Sequence, residues 1–260
     1  MADSRIPSVG VLVASGALLF GACSPVPKTQ LPELTPPEWQ DGERSGYVVI
    51  RNDSLLYRRT ILLQFDEEDG LPTLVVTNVV ATESANVYFF DSTVFAMRRY
   101  SFKPLWSYRT VATEIAVSDA EARYEERRVT IRKQTIEGNE EKELRLGPHS
   151  FGIEMVQMLL RAFPLEPGRS WRITVVIPIE FRTLPMEITI LGTKLAKTAL
   201  GDILCREVSI RMHRRQLRLL YELAQPHRLV EIRDIDNETE TRLVEFIPGQ
   251  PDTTTPVVIP

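Results

Sequence analysis

Apolar residues recur at every second position in short runs between Tyr47 and Ile247. Trp171, Ile173, Val175 and Ile177 alternate with Arg172 and Thr174, and Leu217, Leu219, Tyr221 and Leu223 alternate with Arg218 and Glu222. This period predicts strands with one buried and one wet face, the habit of antiparallel sheets. Runs rich in Val, Ile, Phe, Tyr and Thr at Tyr47–Arg51, Leu55–Phe65, Leu74–Ala81, Asn86–Phe90 and Val94–Arg98 read the same way. So do Trp106–Val117, Arg127–Thr135, Met186–Leu191, Leu204–Met212, Arg228–Arg233 and Thr241–Ile247. About twelve strands without helical crossovers predict a mainly β fold, an antiparallel half-barrel, barrel or sandwich.

One segment departs from that period. Across Ser150–Phe163, residues Phe151, Met155, Met158, Leu159 and Ala162 fall at helical spacing, with Ser150 placed as an N-cap. Pro164 ends the helix, and Pro167-Gly168 turns the chain into the next strand. A lone helix that is apolar on most sides has to be buried, and the concave face of the sheet is the seat available to it. Met155 and Met158 then either fill gaps in the core or line a pocket for an apolar ligand.

The two ends follow neither period. Val9–Phe20 is an uncharged apolar run of twelve residues, short of the roughly 20 that a spanning helix needs. Its length is that of a signal-peptide core, which places residues 1–22 outside the fold. Leu19-Phe20-Gly21-Ala22-Cys23 resembles the lipobox of bacterial lipoproteins. The resemblance implies cleavage before Cys23, lipid on its thiol, and a cell-envelope location. Ser24 after the cysteine, where an inner-membrane protein usually carries Asp, implies the periplasmic face of the outer membrane if the cell is Gram-negative. Ordinary secretion with cleavage after Ser24 satisfies the same small residues. Residues 23–46 hold Pro25, Pro27, Pro32, Pro36 and Pro37 and read as an extended tether, leaving residues 47–247 as the β-rich domain. Residues 248–260, opening Pro248-Gly-Gln-Pro, read as a disordered tail.

Composition narrows the function classes. With 43% hydrophobic and 25% charged residues the chain can bury a sizeable core. A formal charge of −4 argues against nucleic acid as a partner. Cys23 and Cys205 are the only cysteines, so lipid on the first leaves the second without an intramolecular disulfide partner. No Gly-x-Ser-x-Gly elbow, Walker A loop or dinucleotide fingerprint occurs, and no cofactor is implied. Cys205 with His213 or His227 as base is a thin thiol-nucleophile candidate, because cysteines are usually buried and inert. His149, His213 and His227 are too widely spaced for a metal-ligand pair. Asp234, Asp236, Glu238 and Glu245 match positions one, three, five and twelve of a calcium loop. Thr239 stands where that loop needs glycine, which favours a hairpin. The basic run Arg211, His213, Arg214, Arg215 and Arg218 reads as a solvated hairpin tip, with lipid headgroups as the alternative contact. Glu154, a carboxylate inside the apolar helix, is the one acid–base candidate.

From Thr93 to about residue 245 the order of features resembles an exported bacterial family, domain of unknown function 3108. The resemblance is carried by Lys103-Pro104-Leu105, by Leu159-Leu160-Arg161-Ala162-Phe163-Pro164-Leu165-Glu166-Pro167-Gly168, and by Gly201-Asp202-Ile203-Leu204-Cys205 and Pro226-His227-Arg228. It implies an antiparallel β sheet wrapped around a helix and assigns no catalytic residue. Together these readings lead to an expectation of a non-enzymatic envelope lipoprotein, held on the membrane through Cys23, that binds an apolar ligand or an envelope protein. A purely structural role through protein contacts is the alternative, followed by an enzyme with an unrecognised acid–base pair.

Overall fold

The computed structural model describes residues 31–82 and 89–251. The short β1 (Gln40–Asp41) is followed by a meander: β2 (Arg44–Arg51), β3 (Ser54–Glu68), β4 (Leu71–Ala81), β5 (Phe89–Arg98), β6 (Pro104–Thr113), β7 (Val117–Tyr124), β8 (Arg128–Thr135) and β9 (Gly138–Arg145). Then come β10 (Ser150–Gly152), a helical segment over residues 153–162, and β11 (Ser170–Ile177). A second meander runs through β12 (Arg182–Thr198), β13 (Gly201–Met212), β14 (Arg215–Glu222), β15 (Leu229–Asp234) and β16 (Thr239–Ile247), ending at β17 (Gln250–Pro251).

The meanders join where β16 pairs antiparallel with β2, giving one sheet of fifteen strands. Its pairs are antiparallel except β10 with β11. The two outermost strands, β10 and β9, are not paired with each other, so the sheet is strongly curved but not closed. A 3₁₀ turn at Pro178–Glu180 packs against β7 and β8. The free edge strand β9 is mostly charged and almost wholly exposed, which blunts edge-to-edge pairing.

The mainly β expectation holds, with more strands than the apolar runs suggested. Trp106–Val117 splits into β6 and the start of β7, while Met186–Leu191 is the middle of the seventeen-residue β12. Strand β7 presents Ala120, Ala122 and Tyr124 inward, and β9 is rich in glutamate with Leu144 its one large apolar residue. Small residues in β7 and charged ones in β9 take the positions where apolar side chains would signal a strand.

The helix is much shorter than its spacing predicts. Ser150 is a strand residue whose Oγ donates to the Gly147 carbonyl oxygen at 2.9 Å, not an N-cap. A 3₁₀ turn (Ile153–Met155), a single α turn α1 (Val156–Leu159) and a second 3₁₀ turn (Leu160–Ala162) replace the expected helix. So short a helix is unstable alone, because nucleation is costly. Burial holds it: Met155, Val156, Met158, Leu159 and Leu160 are all at most 3% exposed. Each such side chain contributes about 1.5–3 kcal/mol. The segment sits within the main core, against Ile61, Leu63, Leu74, Val76, Phe95 and Trp171. The Phe163 and Trp171 rings meet edge to face, 5.2 Å apart.

The tether assigned to residues 23–46 is shorter than the proline content implies. The Thr35 N–H donates to the Ala162 carbonyl oxygen at 3.0 Å, and Trp39 is 1% exposed in the core. The tail assigned to residues 248–260 likewise begins later, since β17 pairs with β1. Prolines here shape packed extended chain, and their fixed φ reduces the conformational freedom lost when the segment orders. The leader, Cys23 and residues 252–260 lie outside the described residues.

Candidate functional site

The concave face changes character along its strands. On β3, Ile61 and Leu63 face the core and Arg59 follows on the same side; on β4, Leu74 and Val76 are followed by Asn78. On β5, Met97 and Phe95 give way to Thr93 and Asp91, and on β6 Ser107 is followed by Arg109. Register aligns these steps: Ile61 lies opposite Asn78, Asn78 opposite Thr93, and Thr93 opposite Arg109. The helical segment covers the apolar part and contributes Ile153, Glu154, Gln157 and Met158 to the wall of a cavity of about 160 Å³.

Arg59 is the centre of this cleft. Its Nε donates to Asn78 Oδ1 and its Nη2 to Gln157 Oε1, both at 2.6 Å. Both acceptors are neutral amides, and no carboxylate among the described residues bonds to Arg59. Burial lowers the pKa of its guanidinium, while the phenols of Tyr47 and Tyr221 and the Asp91 carboxylate act in the opposite direction. Gln157 is itself held in place, because the Tyr221 hydroxyl donates to its backbone carbonyl oxygen at 3.0 Å.

Arg109 stands in contrast, for its Nε and Nη2 donate to the two oxygens of Asp91 at 2.9 and 2.7 Å. Burial works against its charge, but the paired bonds to Asp91 outweigh burial and raise its pKa. Glu154 completes the wall, with part of its surface exposed but Oε1 enclosed. Burial pushes its carboxyl above the ordinary value, against the opposing pull of Ser107, its own backbone N–H, Arg109 and Tyr124. The Tyr124 phenol is raised well above its ordinary value, by burial and then by Glu154. Glu154 Oε1 and Tyr124 Oη face Ser107 but have no well-aligned hydrogen-bond partner among the described residues. Gly152 makes room for them, because a Cβ there would stand 2.6 Å from Glu154 Oε1 and 2.7 Å from Tyr124 Oη.

The structure separates the residues the sequence singles out. Met158 lines the cleft, but Met155 is 0% exposed within the core and is not part of the cleft wall. For Met155 the pocket role gives way to packing. Cys205 is buried on the convex side with Ile203, Leu220 and Val230, its Sγ 3.4 Å from the Ile203 carbonyl oxygen. Burial, then Glu222 and Glu231, push that thiol up to about 12, so it is a poor nucleophile. His213 lies in the turn after β13, eight residues beyond Cys205 and so about 25 Å away along the strand. His227 is engaged by the Glu222 carbonyl oxygen and by Gln225. Asp234 accepts from Arg215 and Asn237, and Asp236 accepts from the Gln216 N–H, which makes the calcium-like spacing a hairpin. No cluster of three potential metal ligands occurs among the described residues. Arg211, His213, Arg214 and Arg215 form the exposed tip between β13 and β14, with Arg215 paired to Asp234 at 2.7 Å.

Arg59, Asn78, Asp91, Arg109 and Gln157 are absent from the sequence-based candidates. A signal for them exists. In Tyr57, Arg59, Ile61, Leu63, Phe65 and in Leu74, Val76, Asn78, Val80, one polar residue interrupts the apolar register. An inward-facing arginine or asparagine has to find a partner.

No family model matches the chain and no curated protein matches it, so the likeness to domain of unknown function 3108 stays a resemblance. Among solved structures, a β-barrel-like protein of the domain of unknown function DUF1849 from Brucella abortus superposes with a TM-score of 0.52. The two chains are 9% identical, and the match covers 85% of this chain and 100% of the other. The likeness is one of fold. A protein with a YmcC-like fold from Bacteroides fragilis gives a TM-score of 0.31 at 10% identity over 82% of this chain and 98% of the other, too slight to bear on the fold.

Proposed function

We propose that this chain is a non-catalytic lipoprotein of the bacterial cell envelope, cut before Cys23 and held on a membrane by lipid on that cysteine, whose curved sheet serves as a binding body. The observation that carries the binding role is the charged cleft under the helix. The helical segment fills the concave face, and the space left beside it, about 160 Å³, is walled by two arginines and two carboxyl groups. Apolar ligands occupy roughly 300–1,000 Å³ of mostly hydrophobic surface. A polar group of a ligand or envelope partner suits this cleft better than an acyl chain.

The geometry of the body is compatible with a tether. Leu31 lies beside Pro164, Arg169 and Trp171, where Arg169 pairs with Ile190. From that level β12 and β13 run on past both neighbouring strands to the pair Thr198–Gly201, with Leu195, Leu200 and Leu204 exposed. Leu31 lies eight positions after Cys23, a reach of about 25 Å if that stretch is extended. A lipid on Cys23 would hold this end of the sheet towards the bilayer.

Metabolic labelling of the full chain with an alkyne palmitate, followed by membrane fractionation, tests the anchor. Label and membrane association are expected in the native chain and lost in Cys23→Ala. An unlabelled protein released with its N-terminus at Pro25 would refute the anchor.

A further inference from the structure

We propose that the cleft binds a small oxyanion, a carboxylate or a phosphate group, on the guanidinium of Arg59. This rests on the reading of the body as a binding domain and names the chemistry its cleft recognises.

A guanidinium drawn partly out of water is normally matched by a carboxylate, because its charge is costly to desolvate. Two other arginines obey that rule, the enclosed Arg161 and the partly exposed Arg109. Arg161 binds both oxygens of Glu43, and Arg109 binds both oxygens of Asp91. Arg59 alone of the three is held by amide oxygens from Asn78 and Gln157, which orient its plane without cancelling its charge. Arginine carries five N–H donors, and two are used by these amides. The cleft beside it is lined by Asn78, Asp91, Thr93, Arg109, Glu154 and Gln157. Planar oxyanions match the fork of a guanidinium through paired bonds. The volume, about 160 Å³, holds several waters. That admits one oxyanion group with some water, and the group can be free or the head of a larger molecule.

Glu154 couples the site to protons. It is faced by Arg109 from β6 and Tyr124 from β7, with Asp91 of β5 and Arg59 of β3 across the same cleft and Glu180 acting on Arg109 from the 3₁₀ turn. With Glu154 ionised, Arg59 and Arg109 are balanced by Asp91 and Glu154. Protonation of Glu154 leaves one positive charge for the ligand. An arriving anion therefore favours the protonated carboxyl, and binding strengthens as pH falls.

Isothermal titration of the detergent-solubilised full chain with sulfate, inorganic phosphate, acetate and glycerol phosphate tests the proposal. At least one of them binds, and Arg59→Gln weakens it tenfold or more, while Arg214→Gln at the exposed β13–β14 turn changes nothing. Arg59→Lys, which keeps the charge but loses the fork, gives an intermediate affinity and a check should the glutamine variant fail to fold. Sulfate does not titrate in this range, so its tighter binding at pH 5 than at pH 8, lost in Glu154→Gln, reports the coupling. Preference for glycerol phosphate over free phosphate indicates a headgroup, and the reverse a free ion; either sustains the oxyanion site. Failure of all four anions to bind, or equal affinity in native chain and Arg59→Gln, overturns it. Palmitate labelling and membrane association would survive that failure, which separates the loss of this site from the loss of the envelope assignment.

Discussion

Arg161 is part of the helical segment and Arg59 lies beneath it, and the two differ in what neutralises them. Arg161 is 2% exposed, and Glu43, its partner, is 1% exposed. Its Nη1 and Nη2 donate to the Glu43 carboxylate at 2.8 and 3.0 Å, its Nε donates to the Pro226 carbonyl oxygen at 2.9 Å, and its plane lies 4.8 Å from the Trp39 ring centre. That arrangement ties the incoming segment, the helix and the turn before β15 into one unit. Arg59 is half-buried, faces the Tyr47 ring at 5.6 Å, donates only to neutral acceptors and borders open volume. Complete satisfaction marks a structural charge, and incomplete satisfaction marks one that can receive a ligand.

Substitution should separate the two, and the largest effect is expected at the closed site. Arg161→Met leaves the Glu43 carboxylate buried without its partner, costing about 3–5 kcal/mol in urea unfolding. Adding Glu43→Gln should recover much of that loss. No recovery would mean that the carbonyl and ring contacts, not the charge pair, hold the region. Met155→Ala removes a fully enclosed side chain and should cost about 2–5 kcal/mol, more than Met158→Ala beside the cleft. An equal cost at both positions would place the cavity wall and the core on the same footing.

At the open site the effects should be smaller. Arg59→Met strands two amide oxygens rather than a charge, for a loss of about 1–2 kcal/mol. A loss as large as that of Arg161→Met would erase the contrast. Glu154 bears on pH. Its folded pKa lies above the ordinary 4.5, so the folded chain holds its proton more tightly than the unfolded one. This contribution to stability is present at low pH and declines as pH rises from 4.5 through the folded value. Glu154→Gln should remove that share of the decline, measured as the difference in Tm between pH 4.5 and 7.5 for the two proteins. An identical difference in both would show that the carboxyl is not perturbed. The smallest effect is expected at Cys205, whose thiol should resist iodoacetamide until denaturant is added.

Much of the fold was legible from one-dimensional pattern. Alternation in β11, β14 and β8 marks both strand and inward face, because a half-buried antiparallel sheet imposes a period of two on side-chain polarity. Strands such as β7 and β9 escaped, since alanine and charged residues satisfy their positions without an apolar signature. The helix was placed correctly and overestimated in length. Helical spacing of Phe151 and Ala162 arises equally from a strand end and from 3₁₀ turns packed into a concave surface.

The sequence by itself determined the mainly β class, the order of most strands and the position of the buried helical turn, because each depends on neighbours within a few residues. Tertiary structure decided the rest. Arg59, Asn78, Asp91, Arg109 and Gln157 come from four strands and a helix, spread across 99 positions of the chain between Arg59 and Gln157. Their meeting depends on strand register and sheet curvature, and whether a charge is matched depends on which side chain arrives from the far strand. No local pattern carries that information, so the difference between a closed arginine and an open one appears only when the sheet is assembled.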